Sequence, residues 1–183
     1  IIVKDPYTQT GFQPADWASP DLGWEKVAVG DLNGDGDAEI LAIQGGTLKA
    51  FDPFKPSGAP TVTFEQTVTG GRVWRLLATG DMNNDGRDEI LATHSEGSGE
   101  KLLVWRGDAT GTTWTVVYTE TFGGQFRTLV TGDIDGDERA DFVMLRDTDK
   151  LVKAWSGSNF SVLIGSTFSF VWTDVAIGDI YRD

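Results

Sequence analysis

The stretch Val27-Ala-Val-Gly-Asp31-Leu-Asn33-Gly-Asp35-Gly-Asp37-Ala-Glu39-Ile-Leu-Ala-Ile43 joins two short β-prone runs through a loop crowded with oxygen side chains. The first half of this pattern recurs without gaps. Trp24 to Asp31 aligns with Trp74 to Asp81, Phe126 to Asp133 and Trp172 to Asp179, with an aromatic seven positions before each Asp and a Gly immediately before it. The Asp positions are 50, 52 and 46 residues apart, so the chain is read as a repeat of about fifty residues.

Each repeat contains several β-prone runs. After the acidic loop comes Glu39–Ile43, Glu89–Thr93 or Asp141–Leu145. A third run is Leu48–Phe51, Leu102–Trp105 or Leu151–Trp155, and a fourth is Val62–Phe64, Trp114–Tyr118 or Phe160–Leu163. Gly and Pro punctuate them at Gly45-Gly46, Pro53, Gly70-Gly71 and Gly123-Gly124, while no stretch keeps a 3.6-residue apolar period. Four short antiparallel strands per repeat predict an all-β chain of β-propeller blades. A β-sandwich of similar hairpins is the competing arrangement. The first run favours the propeller, because Val27-Ala-Val-Gly30 and its counterparts are apolar or small on both faces, as an inner strand between two sheets must be. Gly30, Gly80, Gly132 and Gly178 are expected where backbones approach closely.

The loops run Asp31 to Glu39, Asp81 to Glu89 and Asp133 to Asp141. Oxygen side chains stand at positions 1, 3, 5 and 9 of each: Asp31, Asn33, Asp35 and Glu39; Asp81, Asn83, Asp85 and Glu89; Asp133, Asp135, Asp137 and Asp141. Position 7 is Asp37, Arg87 or Arg139, where a backbone carbonyl is the expected donor. Alternate residues of a tight loop aim inward together, and calcium takes six to eight oxygens at roughly 2.3–2.6 Å. An EF-hand would need Glu at position 12 and flanking helices, but position 12 is Ala42, Ala92 or Met144. Polar turns without metal are the bland reading, since Asp, Asn and Gly favour turns in any case. Three loops in register, each with carboxylates that repel when uncompensated, favour a bound cation. Glu138 replaces the position 6 glycine of Gly36 and Gly86, so the third loop is expected to be strained and the weakest of the three.

These residues resemble the FG-GAP and VCBS repeats, as in the integrin alpha-subunit propeller. The resemblance implies a calcium-binding propeller, extracellular or secreted, used in adhesion or in binding protein or carbohydrate, or appended to a secreted enzyme as a noncatalytic domain. It carries the calcium ligands onto the loop positions named above.

Composition agrees with a cation binder. The 183 residues carry 15 Lys and Arg against 28 Asp and Glu, for a formal charge of −13. That balance disfavours nucleic acid and anionic lipid, which bind mainly through Lys and Arg. No cysteine offers a disulfide, and no apolar run reaches the roughly 18 residues of a membrane span. His94 is the only histidine and is read as following a core strand, so a Ser-His or Cys-His catalytic pair is not expected. Trp24, Trp74 and Trp172 recur at one repeat position and read as packing between blades. Trp17 and Trp114 are the tryptophans left for a sugar.

The repeat boundaries predict blades over 24–73, 74–125 and 126–171, with 1–23 ending an earlier blade and 172–183 beginning a later one. Within 1–23, Ile1–Lys4 and the segment around Gly11-Phe12 are read as strands. The start at Ile1 rather than Met points to a processed or trimmed chain. Three complete blades are fewer than the roughly four to eight that close a ring. Ends that pair, within one chain or between chains, are therefore expected, with self-association through the incomplete blades.

Overall fold

The computed structural model describes residues 23–53, 61–170 and 172–178. Every regular element in it is a β-strand. The first sheet holds β1 (Lys26–Gly30), β2 (Glu39–Gln44), β3 (Thr47–Asp52) and β4 (Thr61–Thr67). The second holds β5 (Trp74–Gly80), β6 (Glu89–Glu96), β7 (Gly99–Gly107) and β8 (Trp114–Phe122). The third holds β9 (Thr128–Gly132), β10 (Asp141–Arg146), β11 (Leu151–Trp155) and β12 (Val162–Thr167). Each is a four-stranded antiparallel meander in chain order, the blade of a propeller. The described residues do not close a ring.

Register at the loop end is the same in all three blades, although β5 and β6 alone shift register between Trp74 and Leu76. Gly30 pairs with Glu39, Gly80 with Glu89 and Gly132 with Asp141, so each acidic loop is the connection between first and second strands. A register shift recurs where the third strand meets the fourth, at Ala50/Phe51, Val104/Trp105 and Ala154/Trp155.

The second strand of each blade is the most buried. From Ile40 to Ile43 no residue is more than 8% exposed, and Ile90, Leu91 and Ala92 are wholly buried. The reason lies in the two cores. Ile90 and Ala92 pack with Leu41, Ile43 and Phe64 between the first and second blades. Leu91, between them in sequence, packs with Phe142, Met144 and Trp155 between the second and third. Successive side chains of a strand point to opposite faces, so a strand covered on both faces must be apolar at every position. The aromatics seven positions before the loop Asp share in this packing. Trp74 meets Trp105 edge-on at 5.8 Å, and Phe126 meets Phe122 at 4.8 Å.

Neighbouring blades are joined through their first strands. Thr79 donates its hydroxyl to the Val29 carbonyl at 2.7 Å, and Thr131 donates to the Thr79 carbonyl at 2.5 Å. A Cβ on Gly30 would lie 2.7 Å from the Thr79 hydroxyl, and one on Gly80 would lie 3.2 Å from Thr131 Cβ and 2.7 Å from Ala140 Cβ. Close approach therefore does require glycine at both positions. Gly132 meets Ile177 in the same way, at 2.8 Å. Ile177 thus stands against the third blade as Thr79 and Thr131 stand against the blades before them.

Some expectations need correction. Residues 172–178 join no sheet, because no second strand pairs with them among the described residues. A Cβ on Gly178 would meet nothing within 4 Å, and Trp172 is 48% exposed instead of buried between blades. Phe160 is not in the fourth strand. It turns at φ 59° and stacks on Tyr118, and β12 begins at Val162. His94 lies within β6 instead of after it, buried edge-on against Trp74. Trp114 is packed against Phe64 at 5.2 Å, so it is no free platform for a sugar. Trp17, the strands expected at Ile1–Lys4 and near Gly11-Phe12, and Asp179 lie outside the described residues.

Candidate metal centre

Each acidic loop leaves the end of a first strand and returns as the second, which places the three loops at one end of their blades. A loop this short must turn sharply twice. The turns fall at position 4, where Gly34, Asn84 and Gly136 have φ of 77°, 58° and 80°, and at position 6, where Gly36, Gly86 and Glu138 have φ of 91°, 82° and 65°. The turn at position 6 was expected and the one at position 4 was not. Its signal was present in the sequence as Gly, Asn and Gly, residues that tolerate the left-handed region. Glu138 adopts the conformation that was read as strained.

The loop side chains are held by the loop backbone in one repeated scheme. The position 1 carboxylate accepts two N–H groups of the turn, from positions 4 and 6 (Gly34 and Gly36 to Asp31, Gly136 and Glu138 to Asp133) or, in the second loop, from positions 5 and 6 (Asp85 and Gly86 to Asp81). Position 3 accepts the N–H of position 5, at 2.8 Å for Asn33, 2.9 Å for Asn83 and 3.3 Å for Asp135. Position 5 accepts the N–H of position 7, from Asp37 to Asp35, Arg87 to Asp85 and Arg139 to Asp137. Position 9 accepts the N–H of position 2, as Glu39 does from Leu32, Glu89 from Met82 and Asp141 from Ile134. The oxygen-bearing positions thus fold back on their own loop, but among the described residues only the third loop brings three carboxylates within 4.8 Å of one another. A carboxylate oxygen that accepts one N–H still has lone-pair capacity for a cation.

The loops differ in how their charges are compensated. In the first two, the Asn at position 3 donates its amide to the Glu at position 9, Asn33 to Glu39 at 3.0 Å and Asn83 to Glu89 at 3.3 Å. In the third, Asp135 has no proton to offer. One carboxylate oxygen from each of Asp133, Asp135 and Asp141 lies within 4.8 Å of the others. Two oxygens bound to one calcium at roughly 2.4 Å lie at most about 4.8 Å apart, so this set fits the ion. Desolvation, with Asp141 and Asp137 alongside, raises the Asp135 carboxyl above its ordinary range.

Burial acts on the position 9 acids. It pushes Glu39 up to about 7 against the help of the Leu32 N–H, and the like charges of Asp52, Asp35 and Asp31 add to it. Glu89 is also raised by burial, with Arg106 and the Met82 N–H opposing. At position 7 the Arg87 and Arg139 guanidinium groups turn back onto Asp85 at 2.6 Å and Asp137 at 3.3 Å.

Two features were not read from the sequence. The N–H of position 8 reaches the loop of the preceding blade, from Asp88 to the Asp31 carbonyl at 2.7 Å and from Ala140 to the Asp81 carbonyl at 2.8 Å. Neighbouring loops are thereby pinned together. Asp88 itself is pushed up to about 6 by burial and by the nearby Asp81 and Asp31. The second feature is Arg106, which donates Nε to Glu89 at 2.8 Å from the end of β7. Seventeen residues separate the pair, and only the sheet register brings them together.

Residues 81–144 match the FG-GAP-like repeat family. No curated protein matches the chain significantly. Among solved structures it is similar to a protein of unknown function from Bacteroides caccae, with 14% identity and a TM-score of 0.46 over 82% of this chain and 48% of that one. It is also similar to Saccharomyces cerevisiae Sqt1, with 13% identity and a TM-score of 0.41 over 76% of this chain and 46% of that one. The chain spans about half the length of each.

Proposed function

We propose that this chain, which carries an FG-GAP-like repeat, is a calcium-binding β-propeller scaffold that holds an extracellular protein or glycan partner and is not itself an enzyme. One observation carries the reading: three acidic loops fold alike, and in the third the Asp133, Asp135 and Asp141 oxygens gather within 4.8 Å. Carboxylates at that separation repel one another, and a divalent cation removes the repulsion. The side chains that would hold it are those at positions 1, 3, 5 and 9 of each loop. Bound there, calcium supplies charge neutralisation and a cross-link. Because position 9 opens the second strand and position 1 follows the first, the ion ties two strands of a blade together. Through the Asp88 and Ala140 N–H groups it also steadies the neighbouring loop.

Calorimetric titration with calcium and thermal melts with and without chelator test this reading. A site held at a hundredfold its Kd stabilises the fold by about 2.7 kcal/mol. For a chain of this size that raises the melting midpoint by roughly 5–11 °C. A melting curve unchanged by chelator, together with no calcium by elemental analysis, would refute it. A glycan array and a pull-down with the calcium-loaded chain then separate glycan from protein partners, and light scattering reads self-association.

A further inference from the structure

Loops 1 and 2 form a natural controlled comparison. Both offer Asp, Asn, Asp and Glu at positions 1, 3, 5 and 9, with glycine at position 6 and backbone schemes that differ in one N–H to the position 1 Asp. Position 4 is Gly34 or Asn84, and position 8 is Ala38 or Asp88, whose like charge is felt by Asp81 and Asp31 of both loops. The largest difference at the position 9 glutamate itself is the charge placed there by the third strand. Ile40 pairs with Phe51, Ile90 with Trp105 and Phe142 with Trp155, so the residues that follow, Asp52, Arg106 and Ser156, hold equivalent places. In blade 1 this place puts a like charge on Glu39. In blade 2 it puts the Arg106 guanidinium on Glu89, 2.8 Å away, where the carboxylate side chain is only 2% exposed. Position 7 differs in the same sense, with Asp37 in loop 1 and Arg87 in loop 2. The Arg87 stem lies across Gly34 of loop 1, but its guanidinium ends on Asp85 of loop 2.

We propose that Arg106 is a built-in counter-ion of loop 2, which keeps that loop formed without metal and makes it bind calcium more weakly than loop 1. This inference rests on the calcium reading and divides its sites into two kinds. Among the described residues no guanidinium or ammonium group acts on Glu39 of loop 1, where an acid holds the place of Arg106, so that loop depends on the ion. Loop 2 already has Glu89 neutralised, so an entering cation must share that oxygen with a guanidinium and approach a positive charge. A unit charge about 6 Å from a divalent ion in water-like surroundings changes its affinity about tenfold. The chain would then carry a metal-dependent loop beside a metal-tolerant one, joined by the Asp88 N–H to the Asp31 carbonyl.

Calcium titration followed by two-dimensional amide NMR reads the loops separately, through Gly36 in loop 1 and Gly86 in loop 2. In the unaltered chain the Gly36 resonance is expected to move at lower calcium than Gly86. In Arg106→Gln the Gly86 midpoint should fall about tenfold while that of Gly36 stays. The metal-free variant should melt earlier than the parent and recover on adding calcium. If Arg106→Gln is unfolded without metal but folds with it, calcium has done the work of the guanidinium and the proposal stands. A variant that stays unfolded at saturating calcium overturns it, as does a folded one whose Gly86 midpoint does not move. If neither glycine moves in the unaltered chain at millimolar calcium, the calcium reading falls and takes this inference with it. A Gly86 that moves at the same or lower calcium than Gly36 in the unaltered chain sinks the arginine argument alone.

Discussion

Replacing Gly80 by Ala should part the second and third blades. Gly80 does not have a positive φ, so backbone conformation is not at issue and the added methyl is the whole perturbation. That methyl would sit 2.7 Å from Ala140 Cβ and 3.2 Å from Thr131 Cβ, closer than carbon atoms pack. Neither neighbour can rotate away, because each clashing atom is a Cβ fixed to its backbone. Relief requires the third blade to move outward. That movement strains the Thr131 hydroxyl bond to the Thr79 carbonyl and the Ala140 N–H bond to the Asp81 carbonyl. Overpacking of this kind costs about 1–3 kcal/mol. Chemical denaturation should show that loss, and the thermal midpoint should drop by roughly 2–12 °C. Gly123→Ala is the internal control, since its Cβ meets nothing within 4 Å and its φ is not positive. That variant should be neutral or up to about 1 kcal/mol more stable through the unfolded chain. If Gly80→Ala matches Gly123→Ala within about 0.5 kcal/mol, close approach of first strands is not what holds the blades together.

Two further predictions follow from side chains outside these contacts. Glu138→Gly should stabilise the third loop by about 1 kcal/mol, because Glu138 sits at φ 65° with a Cβ, and should tighten calcium there. Calorimetry showing equal affinity before and after would refute the strain argument. Glu100 is buried, accepts the Phe126 N–H at 2.5 Å and a Thr93 hydroxyl, and has its carboxyl raised above its ordinary range by burial. A raised folded-state value means that its contribution to stability is fully present below the unfolded value and is lost as pH rises through the folded one. The stability of the parent relative to Glu100→Gln should therefore decline from about pH 4 toward neutrality, read by denaturation at several pH values. A difference that does not vary with pH would count against it.

Local rules carried the repeat, the strands and the loops. The recurring aromatic, Gly and Asp marked the period, and runs such as Glu39–Ile43 and Leu151–Trp155 named strands that the structure reproduces. The acidic positions were legible because a loop that aims alternate side chains inward writes its spacing into consecutive residues. Where local rules fell short, a longer reach was involved. Phe160 has strand-like composition, yet it turns because Ser156 and Ser161 close a hairpin around it and its ring stacks on Tyr118 of the neighbouring blade. Trp114 looked available to a ligand until the packing of Phe64 from the first blade covered it.

The sequence by itself determined an all-β chain of four-stranded blades, each with an acidic loop between its first two strands. It could do so because hydrophobic alternation, turn residues and loop spacing all act over a few residues of one strand or turn. Tertiary structure alone decided which charges meet. Arg106 faces Glu89, Asp52 acts on Glu39, and Asp81 and Asp31 both act on Asp88, each through the register of a sheet or the contact of two blades. Electrostatic energy depends on distance in space and on burial, and neither is a function of separation along the chain. Three loops of nearly the same composition therefore sit in different electrostatic surroundings, and that difference is set by neighbours whose partners no local pattern names.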